Sequence, residues 1–157
     1  MSNFIKLSDA ASIAIHAMIV LAIEPDKVRS NKEIARTLNI SVDHLSKVMQ
    51  RLHKVGFVES VRGPKGGFRL GKPRDEVNLY EIYEVIDGEI QIHPCIFSHQ
   101  TCRLKSCLFH NFFSKMRQQI KDYFSDTKLS NIIDNNRNLI SELEDGLVNK
   151  HTKVKGN

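Results

Sequence analysis

Apolar residues recur three and four apart from Ile13 to Leu21, in the rows Ile13, Ala17, Leu21 and Ala14, Met18, which is the period of a helix and not of a strand. Ser8 supplies an N-cap, and Pro25 with Asp26 ends the helix after Ile23. Ser30 followed by Glu33 matches the reciprocal capping box and predicts a short second helix carrying Ile34, Ala35 and Leu38. "NIS" is then a tight turn. Ser41 caps a third helix whose apolar positions, Val42, Leu45, Val48, Met49 and Leu52, keep helical spacing as far as Gly56, a residue suited to a left-handed cap. Two short helices across a three-residue turn make a helix-turn-helix.

After Gly56 the period falls to two. "FVESV" alternates, "RGPKGG" is turn chemistry and "FRL" resumes the extended pattern, so Phe57 to Leu70 is expected to be a two-stranded hairpin. A helix-turn-helix followed by such a hairpin is a winged helix. Asn78 with Glu81 starts a further short helix through Ile86, which Asp87 and Gly88 break. Beyond an irregular stretch, Leu108, Phe112, Met116, Ile120 and Phe124 or Tyr123 line up on one long helix, flanked by Phe109 and Phe113. The winged helix already supplies a core, so this stripe is expected to be covered by a second copy of the chain. The tail "NKHTKVKGN" is expected to be disordered, and there is no internal repeat.

At 157 residues the chain is one domain, or a small domain with an extension, and buries a core without crosslinks. The apolar run from Ile13 to Ile23 is broken by His16, lacks a charged leader directly before it and has no small-residue cleavage site. It fits neither a signal peptide nor a membrane span, and the expected setting is cytoplasmic with no membrane partner. A formal charge of +5 is compatible with a polyanionic partner, though weakly on its own. Placement strengthens it. Ser41, Asp43, His44 and Lys47 lie at the amino end of the second helix of the pair, where base edges are read, and Arg51, one turn on, is expected to reach a phosphate. Arg62, Gly63 and Lys65 form a glycine-rich wing tip suited to close approach to DNA, with Arg69 beside it. The alternative use of such a fold is docking to protein. No P-loop or Rossmann loop is present, because "RGPKGG" does not join a strand to a helix, and no enzyme is expected.

The segment "HPCIFSHQTCRLKSCLFH" holds all three cysteines, within thirteen residues from Cys95 to Cys107, together with His93, His99 and His110. In a reducing compartment, clustered thiols point to a metal site or a redox switch more than to a structural disulfide. His93, His99 and His16 are bystanders in either case.

"NISVDHLSKVMQRLHKVGFV" followed by "SVRGPKGGFRLGKP" resembles the recognition helix and wing of the Rrf-two (Rrf2) superfamily of bacterial winged-helix regulators, over roughly residues 5 to 135. That resemblance implies a mainly α fold: a winged helix-turn-helix with a two-stranded wing and a long dimerisation helix. It implies a homodimer on a palindromic operator in double-stranded DNA, acting as a repressor, with a three-cysteine loop holding an iron–sulfur cluster that reports redox state, cluster status or nitric oxide. The organisation that follows is a DNA-binding domain over residues 1–88, a cluster-binding loop over 89–107, the dimerisation helix and short C-terminal helices over 108–147, and the tail over 148–157.

Cys95, Cys102 and Cys107 are then cluster ligands, with two candidates for a fourth. A 2Fe–2S centre of the family takes a histidine three residues after the last cysteine, which is His110 here. A 4Fe–4S centre takes a carboxylate at the start of the first helix, contributed across the dimer, which is Asp9. His110 needs no second element to position it, whereas Asp9 comes from the far end of the chain, so 2Fe–2S is favoured. Asp9 otherwise serves the helix dipole, and His110 packing. Six residues separate Cys95 from Cys102 and four separate Cys102 from Cys107, which departs from the family's even spacing and leaves cluster type open. Zinc and a metal-free thiol sensor are the alternatives.

Overall fold

The computed structural model describes residues 7–90, 109 and 111–148. Helix α1 (Asp9–Ile23) is the centre of the fold, packed by the later helices and by the wing. Ala11, Ala14, Ala17, Met18, Val20, Leu21 and Ala22 are all fully buried, so α1 is apolar on nearly every side, as a helix surrounded by others must be. Ser8 caps it, its hydroxyl accepting from the Ala11 amide at 3.0 Å. The same hydroxyl donates to Asp87 at 2.6 Å, and the Ser8 amide donates to that carboxylate at 3.0 Å.

Helices α2 (Asn31–Thr37) and α3 (Val42–Lys54) form the expected pair. The turn between them puts Asn39 at φ 53°, and the Ile40 amide reaches back to the Ala35 carbonyl at 2.9 Å, a left-handed helix ending that asparagine tolerates. Ser30 caps α2 as expected, through the Glu33 amide at 3.2 Å. The Glu33 carboxylate turns instead to Arg29, so the predicted box is half made. On α3, Leu45, Val48, Met49 and Leu52 are buried, while Val42 at the open first turn is 37 % exposed.

Strands β1 (Val58–Val61) and β2 (Gly67–Leu70) pair antiparallel with Val58 opposite Leu70 and Glu59 opposite Arg69. A third backbone segment completes the wing root. Arg29 donates from its amide to the Phe68 carbonyl at 2.9 Å, and the Phe68 amide donates to the Arg29 carbonyl at 2.8 Å. Helix α4 (Leu79–Asp87) opens with a full capping box between Asn78 and Glu81 and closes on Gly88 at φ 78°.

Helix α5 (Phe112–Asp126) begins at Phe112, where the sequence pattern starts it at Leu108; Leu108 and His110 lie outside the described residues. Its inner row also differs. Phe113 is 4 % exposed and Phe112 is 50 % exposed, with Met116, Ile120 and Phe124 packed on the chain's own core. Spacings of three and four accommodate either phenylalanine; α4 selects the row, and Tyr83 meets Phe124 edge-on at 6.4 Å. Part of the stripe expected to await a partner is therefore covered within the chain. The chain then folds back. The Leu79 amide donates to Thr127, the Leu129 amide to Val77 and the Ser130 amide to Arg74, each at 3.0 Å. That stitching seats α6 (Leu129–Asn135) and α7 (Arg137–Val148) against α1 and α2, with Leu129 fully buried and Ile140 nearly so. Among the described residues no helix is long and apolar enough to cross a membrane.

Candidate nucleic-acid interface and cysteine segment

The first turns of α3 leave Ser41, Asp43, His44 and Lys47 exposed, because Leu45, Val48 and Met49 occupy the buried side. Ser41 is partly committed, its hydroxyl accepting from the His44 amide at 3.4 Å. Helix α2 braces α3 at this end, where Asn31 donates to the Ser46 hydroxyl at 3.0 Å and Ser46 donates to the Val42 carbonyl at 2.8 Å.

The wing separates its basic residues into free and bound. Arg62 and Lys65 are exposed, and neither has an acidic partner within salt-bridge distance among the described residues. Arg69 is held by Glu59 at 2.8 Å across the hairpin, the pair that the register dictates. Gly63 sits at φ 117° in open space, a backbone state that a side chain would strain, and the Gly66 amide closes the tip on the Gly63 carbonyl at 2.9 Å. Arg51 is also engaged. Its Nη2 donates to the Val85 carbonyl at 3.0 Å and the Ile86 carbonyl at 2.7 Å, where the sequence reading has it reaching a phosphate.

Arg29 carries a structural role that sequence reasoning passed over. It is 1 % exposed, its guanidinium pairs with Glu24 after α1 and with Glu33 on α2 at 2.7 Å, and its backbone bridges to the wing. One buried cation thus joins three elements. Lys27, hydrogen-bonded to Glu24 and aided by the charges of Lys27 and Arg29, holds the Glu24 carboxyl below the usual carboxylate range. The signal in sequence is slight: Arg29 stands four residues before Glu33 and five after Glu24.

Cys95, Cys102, Cys107, His93, His99 and His110 lie outside the described residues, as does the tail expected to be disordered. Among the described residues no group of three or more candidate ligands forms a metal site. The flanks of the segment are described. Ile90 is buried at its start, and Phe109, Phe112 and Phe113 pack ring against ring at its end, with centroids 5.3 to 6.5 Å apart. Asp9 is exposed on the first turn of α1. Its neighbour Ser8 is bonded to Asp87 near the end of α4, eight residues before Cys95 in the sequence. Burial, with the negative Asp87 nearby, pushes the Tyr83 phenol up from its ordinary value.

The model of the Rrf2 family, described as iron-dependent transcriptional regulators, matches residues 7–135. The chain belongs to the Rrf2 family. The transcriptional regulator NsrR of Halalkalibacterium halodurans is 30 % identical over 80 % of this chain and 91 % of its own. The regulator IscR of Vibrio campbellii is 27 % identical over 94 % of this chain and 93 % of its own. Among solved structures, CymR, the global cysteine regulator of B. subtilis, superposes with a TM-score of 0.67 at 26 % identity, covering 81 % of this chain and 95 % of its own. This Rrf2 protein is a winged-helix, DNA-binding transcriptional regulator, not an enzyme.

Proposed function

We propose that this Rrf2 protein is a homodimeric repressor that binds a palindromic operator and whose affinity is set by an iron–sulfur cluster on Cys95, Cys102 and Cys107. The observation that carries the reading is the placement of three thiols within thirteen residues, in a chain matched over residues 7–135 by a family of iron-dependent regulators. The donor set fits: three thiolates on one segment with an adjacent histidine or carboxylate suit a cluster with one distinct ligand site. When bound, the cluster supplies iron that responds to oxidation or to a diatomic ligand. The chain supplies the DNA contacts, the dimer and the link between them. His110 as fourth ligand corresponds to 2Fe–2S and Asp9 to 4Fe–4S. Alanine at each position separates them by which variant alters the visible spectrum.

Selection of duplexes from a random pool tests the function. Protein kept anaerobic is expected to enrich a palindrome and to bind it with more than about tenfold different affinity from chelator-stripped protein, about 1.4 kcal/mol of coupling. Equal enrichment and affinity in both states would overturn the reading. Likeness to CymR, which from Staphylococcus aureus is also solved in an oxidized form, favours a second reading in which the thiols sense without metal. That reading predicts a response to thiol oxidants in iron-free protein.

Arg62→Ala is expected to weaken binding to all duplexes alike and to lower the salt slope by about one, because a free cation on the wing meets backbone or minor groove. Changes at Asp43, His44 or Lys47 are expected to shift base preference by about 1–3 kcal/mol, as helix residues facing base edges do. Uniform losses for the helix variants, measured on matched and mismatched operators, would contradict this assignment.

We propose the outer row of α5 as the dimer interface. Phe112 is 50 % exposed and Tyr123 is 65 % exposed, eleven residues and three turns apart, hence on one face. Phe112→Asp is expected to give monomers by light scattering. An unchanged dimer would move the interface elsewhere.

A further inference from the structure

Arg51 leaves the third turn of α3 and places one guanidinium nitrogen on two successive carbonyls, Val85 at 3.0 Å and Ile86 at 2.7 Å. These carbonyls belong to the last turn of α4, where intrahelical donors run out and the helix dipole is negative. A cation with two N–H groups answers both needs. One residue on, Asp87 accepts the amide and hydroxyl of Ser8 at the start of α1. The end of α4 is therefore held from two directions, by the recognition helix and by the α1 cap. Cys95, the first of the three cysteines, follows Asp87 by eight residues in the sequence. Turning Arg51 to a phosphate would leave both carbonyls without that donor.

We infer that Arg51 is a positioning residue that fixes the recognition helix to the end of α4, and through it to the cysteine segment, in place of the phosphate contact that its sequence position suggests. The link to the cysteine segment rests on the proposed reading of that segment as the sensor; the tether between α3 and α4 does not. In this arrangement, a change in the path of the chain after Gly88 alters the seat of α3 because the two share Arg51. A packed element shared by both sites is one physical route for such coupling.

The test uses full-length Arg51→Gln and Arg51→Lys proteins. In the absence of DNA, amides from Val85 to Gly88 should exchange about fivefold faster in the Gln variant, because the helix end loses its cap. Unchanged exchange overturns the tether. The salt slope of operator binding should match wild type in both variants, whereas loss of a phosphate contact lowers it by about one in the Gln variant. Lys should not rescue operator affinity, since a single ammonium on a different stem replaces the planar guanidinium; a phosphate contact would be largely rescued. For the coupling, the ratio of operator affinities between iron-loaded and chelator-stripped protein should collapse toward one in Arg51→Gln at unchanged iron content. Retention of the wild-type ratio overturns the coupling. A wild-type ratio of one overturns the sensing reading and the coupling together, while exchange and salt slope still decide the tether.

Discussion

Gly67→Ala is expected to unseat the wing. A Cβ on Gly67 would lie 2.1 Å from the Arg29 carbonyl oxygen, 2.5 Å from its carbon and 2.8 Å from the Ser30 amide nitrogen. All three atoms are backbone, so no side chain can swing aside. The Arg29 segment of the wing root must part from β2, which breaks the two hydrogen bonds between Arg29 and Phe68. Overpacking of this kind costs about 1–3 kcal/mol and each of the two lost backbone bonds about 1 kcal/mol, which places the total near 3–5 kcal/mol. For a chain of this size the melting temperature should fall by roughly 6–20 °C. Operator affinity should fall with it, because Arg62 and Lys65 ride on the hairpin that moves. Lys65→Ala, on the same hairpin and exposed, should melt like the parent. A Gly67→Ala protein melting within about 2 °C of the parent would show that the wing root is not anchored at Arg29.

Cys107→Ala is expected to abolish cofactor binding. Two thiolates and one weaker donor leave a cluster under-ligated, and the remaining cysteines, Cys95 and Cys102, have no fourth thiol to recruit because the chain has only three. Iron and acid-labile sulfide per chain should fall to background. The difference in operator affinity between anaerobic and chelator-treated protein should vanish. Helix content should persist, since the described core, from Ala11 to Ile140, is built from apolar side chains of the helices and the wing packed on one another. Full iron retention in Cys107→Ala would remove that residue from the ligand set.

Local chemistry was readable from the chain, and partner choice was not. Ser8, Ser30, Ser41 and Asn78 each cap the helix that their spacing announces, and Gly56 and Gly88 end helices at positive φ, because a cap is decided within a few residues. The wing was legible for the same reason: alternation and a glycine-rich turn act over neighbours. Glu33 shows the limit. Its spacing from Ser30 promises a box, but a buried cation at Arg29 competes for the carboxylate and wins. Arg51 reaches 35 residues forward to Ile86, which no period encodes. Phe112 and Phe113 fit the same apolar spacing, and only the position of α4 decides which is buried. The meeting of Ser8 with Asp87 across 79 residues is likewise written in no local period. For the site, the exposed residues of α3 and the wing tip followed from periodicity, while the ligand residues of the cysteine segment lie outside the described residues.

The proposed regulation depends on an iron–sulfur cluster held by the three cysteines. Mössbauer spectroscopy of anaerobically purified, iron-57-enriched protein, with iron and sulfide counted on the same sample, tests it most directly. A cluster spectrum with matching iron and sulfide is expected, of the 2Fe–2S type if His110 is the fourth ligand and the 4Fe–4S type if Asp9 is, and absent from Cys107→Ala. A colourless protein containing zinc or no metal, with a full complement of free thiols, would contradict it.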